Sequence, residues 1–162
     1  LEGDAAGRVG HRAKGNAPLL DMGRVGAHDA ADYWEPVLRE GGDRIILDPE
    51  RFYLLLSDES VRVPPDLAAE MTAYDPTSGE LRTHYAGFFD PGFGYGAKGE
   101  VKGTPAVLEV RPYEDDLIVR HRQPVCKMAY EKLTAPPDKL YGVGVKSNYA
   151  AQRGPRLSKF FR

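Results

Sequence analysis

At 162 residues the chain is long enough for one domain with a real core and too short for several. Its 22 Lys and Arg against 24 Asp and Glu leave a formal charge of -2 and a pI near 6.1, so no global field draws it to nucleic acid or to a membrane surface. Cys126 is the single cysteine, which excludes an intrachain disulfide and fits a reducing cytoplasm; no apolar run approaches membrane-spanning length and no signal-peptide pattern is read, so a cytoplasmic location is expected.

Residues 1–43 read as an irregular lead-in or linker from a longer chain. The first 28 are rich in Gly, Ala and Arg with little periodicity, and the opening Leu1-Glu2-Gly3-Asp4 carries no Met. Asp29 is placed to cap a short helix through Ala30-Ala31-Asp32-Tyr33-Trp34, which Pro36 limits. Residues 44–162 form the second unit. Short β-type runs come at 44–47, 51–56 and 61–63. Asp66, after Pro64-Pro65, predicts the N-cap of a single helical turn over Leu67-Ala68-Ala69-Glu70-Met71. Further strands are expected at 81–86, 106–111, 117–120 and 125–133. Brief strands punctuated by Gly, Pro and Asp predict an all-β barrel or sandwich with only short helical turns.

His84-Tyr85-Ala86-Gly87-Phe88-Phe89-Asp90-Pro91-Gly92-Phe93 reads as a strand, a tight turn at Asp90-Pro91-Gly92, and a return. Asp90 is explained by turn chemistry alone. Gly94-Tyr95-Gly96-Ala97-Lys98-Gly99 matches G-x-G-x-x-G, but Glu100 to Pro105 and a strand follow it, so no helix N-terminus is offered to a pyrophosphate and a flexible hairpin loop is expected. The chain has four histidines and one cysteine, and carries neither the H-x-E nor the P-C-x-x-C that zinc-dependent cytosine deaminases use. Glu109 stands between Val107-Leu108 and Val110, and alternation places it on one face with Val107. Facing inward, its carboxyl would be raised by burial and suited to proton shuttling; facing solvent, it is an ordinary strand glutamate. From Lys139 to Arg162 there are six basic residues and no acidic one, with Tyr141, Tyr149 and Gln152 among them. That mix suits a polyanion clamp and equally a packed, solvated arm.

The Ala-Gly-aromatic-aromatic-Asp-Pro-Gly hairpin followed by Val107-Leu108-Glu109 resembles the dCTP deaminases, relatives of the dUTPases. The likeness extends over residues 44–161 through Phe52-Tyr53-Leu54-Leu55, Glu59-Ser60-Val61, Val63-Pro64-Pro65-Asp66-Leu67, Gln123-Pro124-Val125-Cys126-Lys127-Met128-Ala129-Tyr130-Glu131 and Asn148-Tyr149-Ala150-Ala151-Gln152-Arg153-Gly154-Pro155-Arg156-Leu157-Ser158. Its details are most similar to the C-terminal half of the long, double-domain members. The resemblance implies a dUTPase-like all-β barrel that deaminates dCTP to dUTP and ammonia, with Glu109 activating the water. It implies that Ala86, Gly87 and Phe88 read the base and that Asp90 lies at the sugar 3′-hydroxyl. It places Tyr141 and Gln152 on the triphosphate, with Tyr149 in the closing arm. Mg²⁺ would accompany the phosphates, with no zinc. The partners it implies are the nucleotide and either copies of the chain or a pseudo-trimer with an N-terminal sister domain; neither nucleic acid nor membrane is expected. Two alternatives stay open: a deoxynucleoside triphosphate pyrophosphohydrolase using water near Asp90, and a silent half that completes the assembly. The sequence departs from the family where single-domain members carry an Arg-Ser-Ser-Leu-type phosphate segment, because residues 71–78 here read Met-Thr-Ala-Tyr-Asp-Pro-Thr-Ser. The loop from Gly94 to Lys102 reads as an insertion.

Overall fold

The structure, a computed structural model, describes residues 3–73, 87–144, 147–150 and 152–162. It is an antiparallel all-β fold with one short helix among the described residues. In chain order the elements are β1 (Arg8–Ala13), α1 (Ala30–Tyr33), β2 (Trp34–Leu38), β3 (Arg44–Leu47), β4 (Tyr53–Val61), β5 (Leu67–Ala73), β6 (Phe88–Phe89), β7 (Thr104–Val110), β8 (Leu117–Arg120) and β9 (Cys126–Lys132). They make a four-stranded sheet in the order β2-β1-β4-β7, a two-stranded β3-β8 ribbon and a three-stranded sheet β6-β5-β9.

Alternation of side chains builds the core. Tyr53 and Leu55 of β4 and Leu108 and Val110 of β7 point to one side, where they meet Ile45 and Leu47 of β3 and Val119 of β8. Val9 joins them because the β1–β2 register shifts between Arg8 and Gly10, a bulge that adds a residue to the core side. A second cluster of Val63, Ala69, Phe89, Phe93 and Ala106 ties the four-stranded sheet to the β6-β5-β9 sheet, and Met71 packs against both clusters. The phenol of Tyr53 accepts from the Asp48 amide at 2.8 Å, while Arg12 pairs with Glu35 at 2.6 Å and with Asp48.

Several expectations are met closely. Strands form at Arg44–Leu47 and Leu117–Arg120 as predicted, and Asp29 caps α1 by accepting from the Ala31 amide at 3.0 Å. Others need correction. Residues 1–43, expected as an irregular lead-in, supply β1 and β2, and β1 lies between β2 and β4 inside the main sheet. The helical turn expected over Leu67–Met71 is strand β5 instead, paired with β9 from Leu67↔Lys132 to Ala73↔Cys126. Helix propensity in Leu-Ala-Ala-Glu-Met yields to that ladder, a tertiary effect local propensity does not register. The runs at 51–56 and 61–63 are largely one strand, Tyr53–Val61, with irregular register between Leu56 and Ser60. The strand expected at 81–86 lies outside the described residues.

Candidate active site

The outer face of the four-stranded sheet is the floor of a cavity of about 430 Å³. On β7, Ala106, Leu108 and Val110 are buried in the core, so Val107 and Glu109 project the other way, onto this floor. Glu109 pairs in register with Leu54 of β4, and Leu54 pairs with His11 of β1. Of the two orientations open to Glu109, the one away from the core is found. Its neighbours are apolar because they serve the opposite face, and the carboxylate itself is exposed. It makes no hydrogen bond or ion pair with the described residues.

One wall is the segment Gly87–Phe93. Phe88 is 75% exposed at the rim, while Phe89 is buried edge-on to Phe93, ring centroids 4.9 Å apart. Asp90-Pro91-Gly92-Phe93 closes as a turn through the Phe93 amide on the Asp90 carbonyl at 3.1 Å. Gly92 has φ +96, the conformation that a type II turn requires at its third residue. The turn is locked in tertiary structure: Gly92 donates to Val63 at 3.0 Å, Val63 to Phe93 at 2.8 Å, and Tyr141 to Pro91 at 2.9 Å. The last bond carries Tyr141 to the wall beside Phe93, ring centroids 5.4 Å apart. Burial pushes the Tyr141 hydroxyl up, opposed by a hydrogen bond from the Tyr149 backbone. The expected return strand does not form. The chain instead enters the glycine loop, where Glu100 accepts from the Ala97 and Lys98 amides at 3.0 and 2.7 Å, and Arg62 lies 4.4 Å over the Tyr95 ring. That loop was expected to be a flexible hairpin; side chains staple it.

The C-terminal arm is the roof. It packs on the strands of its own chain. Gln152, 6% exposed, donates through Nε2 to the Pro105 carbonyl at 2.7 Å. His11 Nε2 donates to the Pro155 carbonyl at 2.8 Å. Beyond these, the His28 amide donates to Phe160 at 3.2 Å and Arg162 returns to His28 at 3.0 Å, a parallel bridge between lead-in and arm. Phe161 sets its ring 6.2 Å from that of Trp34. Burial holds the His11 imidazole below its usual range, with the Pro155 bond opposing.

Of the residues expected at the site, Gly87, Phe88, Asp90, Glu109, Tyr141, Tyr149 and Gln152 all line this one cavity. Ala86 lies outside the described residues. Sequence reasoning missed Trp34, Phe52, Leu54, Arg156 and Ser158, which line it too. Phe52 and Leu54 carried a period-2 signal and Arg156 only the shared charge of the basic tail; Trp34 had none, because it reaches the cavity through strand pairing. Among the described residues no group of three or more His, Cys, Asp or Glu side chains is gathered as a metal centre would require.

This mostly β architecture is the dUTPase-like fold of the dCTP deaminases. The crystal structure of 2′-deoxycytidine 5′-triphosphate deaminase from Agrobacterium tumefaciens superposes with a TM-score of 0.75 at 44% identity, over 85% of this chain and 40% of that one. The family described as 2′-deoxycytidine 5′-triphosphate deaminase (DCD), C-terminal domain, matches residues 1–161, and the chain belongs to that family. It is 30% identical to a "dCTP deaminase, dUMP-forming" of Halobacterium salinarum over 94% of this chain and 76% of that protein. A "dCTP deaminase" of Haloarcula marismortui is 29% identical over 81% and 64%. The chain thus spans between two fifths and about three quarters of the length of these relatives.

Proposed function

We propose that this domain carries a working active site for the hydrolytic deamination of dCTP to dUTP and ammonia. One observation carries the reading: a single cavity gathers a free carboxylate, an aromatic wall and an arm from separate stretches of sequence, each matching a residue that the family likeness singled out. The pyrimidine lies against Gly87–Phe89, with Asp90 at the sugar 3′-hydroxyl and Tyr141, Tyr149 and Gln152 toward the phosphates. Glu109, exposed and unpaired among the described residues, takes a proton from water as that water attacks cytosine C4. The C4=N3 bond opens as the water adds, and the proton passes to N3. The hydroxyl proton of the intermediate then passes to the amino group, the C4–N bond breaks, ammonia leaves, and C4 becomes the carbonyl of dUTP. Magnesium would enter on the triphosphate oxygens and neutralise part of their charge. No zinc is called on; the water is activated by a carboxylate.

The second reading, a silent half within a larger assembly, is favoured by the missing Arg-Ser-Ser in residues 71–78. A third, pyrophosphohydrolysis near Asp90, draws support from relatives described as dUMP-forming. The oligomer, whether of identical chains or a pseudo-trimer with a sister domain, is part of the same proposal, as is a cytoplasmic location. Glu109→Gln in the full-length protein separates the first reading from the second. Loss of a positioned general base typically costs about 10²–10⁴-fold in rate. The variant is expected to bind dCTP and to release ammonia slower by that factor. Unchanged turnover would assign the chemistry to a glutamate in another domain and leave this one a scaffold.

A further inference from the structure

The cavity holds two carboxylates, Asp90 and Glu109, and among the described lining residues one cation, Arg156. Arg156 is exposed and makes no ion pair with the described residues. Its backbone, in contrast, is clamped on both sides. The preceding carbonyl, Pro155, accepts from His11 Nε2 at 2.8 Å, and the following one, Leu157, accepts from Asn148 Nδ2 at 3.2 Å. A guanidinium on a pinned backbone, lining a cavity and without a partner among the described residues, is arranged to receive an anion from outside the protein.

Its position along the cavity also follows from the strand register. His11, Leu54 and Glu109 stand in one cross-strand row on β1, β4 and β7. Two strand spacings, about 10 Å, therefore separate the anchor of Arg156 from the carboxylate. That separation is comparable with the span from a pyrimidine ring through its sugar to the first phosphates. Ser158, two residues further along the arm, lines the same cavity and adds a hydroxyl.

We propose that Arg156 is the phosphate-contacting cation of this cavity, and that the arm thereby supplies, within one chain, a positive contact that residues 71–78 do not. The proposal deepens the nucleotide reading and rests on it. The test uses the full-length protein and three probes: inorganic tripolyphosphate, dCTP and deoxycytidine. Loss of one charge-assisted contact in Arg156→Ala is expected to weaken tripolyphosphate and dCTP about 10- to 100-fold while leaving deoxycytidine unchanged. Arg156→Lys keeps the charge without the fork and is expected to fall between. Unchanged affinity for both phosphate probes would overturn the assignment. So would an equal loss for deoxycytidine, which would make Arg156 a packing residue of the arm, or a Lys variant as weak as the Ala one. Arg156-dependent binding of tripolyphosphate with no binding of deoxycytidine would uphold the contact and refute the base reading instead.

Discussion

Gly92 is where the hairpin, the second core and Tyr141 meet, and Gly92→Ala tests how they are joined. Two costs arise. The first is conformational: at φ +96 an alanine adopts a backbone that L-residues avoid, costing about 1–2 kcal/mol. The unfolded chain loses freedom with the same substitution, which offsets about 0.4–1 kcal/mol. The second is steric: the new Cβ would lie 2.9 Å from Leu140 Cβ and 3.0 Å from the Tyr141 nitrogen. Both neighbours belong to the segment that Tyr141 bonds to Pro91, so relief means moving that segment. Overpacking of this kind costs about 1–3 kcal/mol, and the lost hydrogen bond adds about 0.5–1.5 kcal/mol. Gly7 is the internal control. It has φ +74, and a methyl group added there would meet nothing within 4 Å, so Gly7→Ala reports the conformational cost alone. Urea unfolding is expected to show a small loss for Gly7→Ala and a loss larger by about 2–4 kcal/mol for Gly92→Ala at unchanged m. Equal losses would refute the packing argument and detach Tyr141 from the turn.

Glu109→Gln is expected to leave stability within about 0.5 kcal/mol, since the side chain is exposed and unpaired among the described residues, so its effect on ammonia release is read without a folding defect. Arm docking is expected to depend on pH through His11. Burial depresses its folded value, so the unfolded imidazole takes the proton first as pH falls through about 6.5, and docking weakens from there down to the folded value and is constant above. Limited proteolysis of the arm against pH follows this; a slope that persists in His11→Asn would assign it elsewhere. Deaminase activity is expected to survive strong zinc chelation once magnesium is restored, and activity that only zinc recovers would reject the carboxylate mechanism.

What the sequence made legible follows from the range of the interactions involved. β3, β7 and β8 were readable because β-branched residues between turn residues are local signals. The Asp90-Pro91-Gly92 turn was equally local. β1, Arg-Val-Gly-His-Arg-Ala, was not, since its strand character comes from pairing with β2 and β4 rather than from its composition. β5 was misread for the same reason. At the site, Glu109 stood out as a charge among apolar neighbours, but which side of the sheet it served was decided by the core packing of Leu108 and Val110. Arg156 was one of six tail cations until the bonds from His11 and Asn148 fixed its place.

The bond from His11 to Pro155 joins residues 144 apart in the chain. Contacts of such separation close late in folding, after the entropy of the intervening loop has been overcome. The sheets can therefore form before the cavity has its roof, and the roof can open without the sheets unfolding. Amide exchange along 152–162 is then expected to outpace exchange in β4 and β7, a local opening at the low end of the stability range. Such an opening gives a polyanion a way in and a product a way out while the floor that holds Glu109 stays rigid.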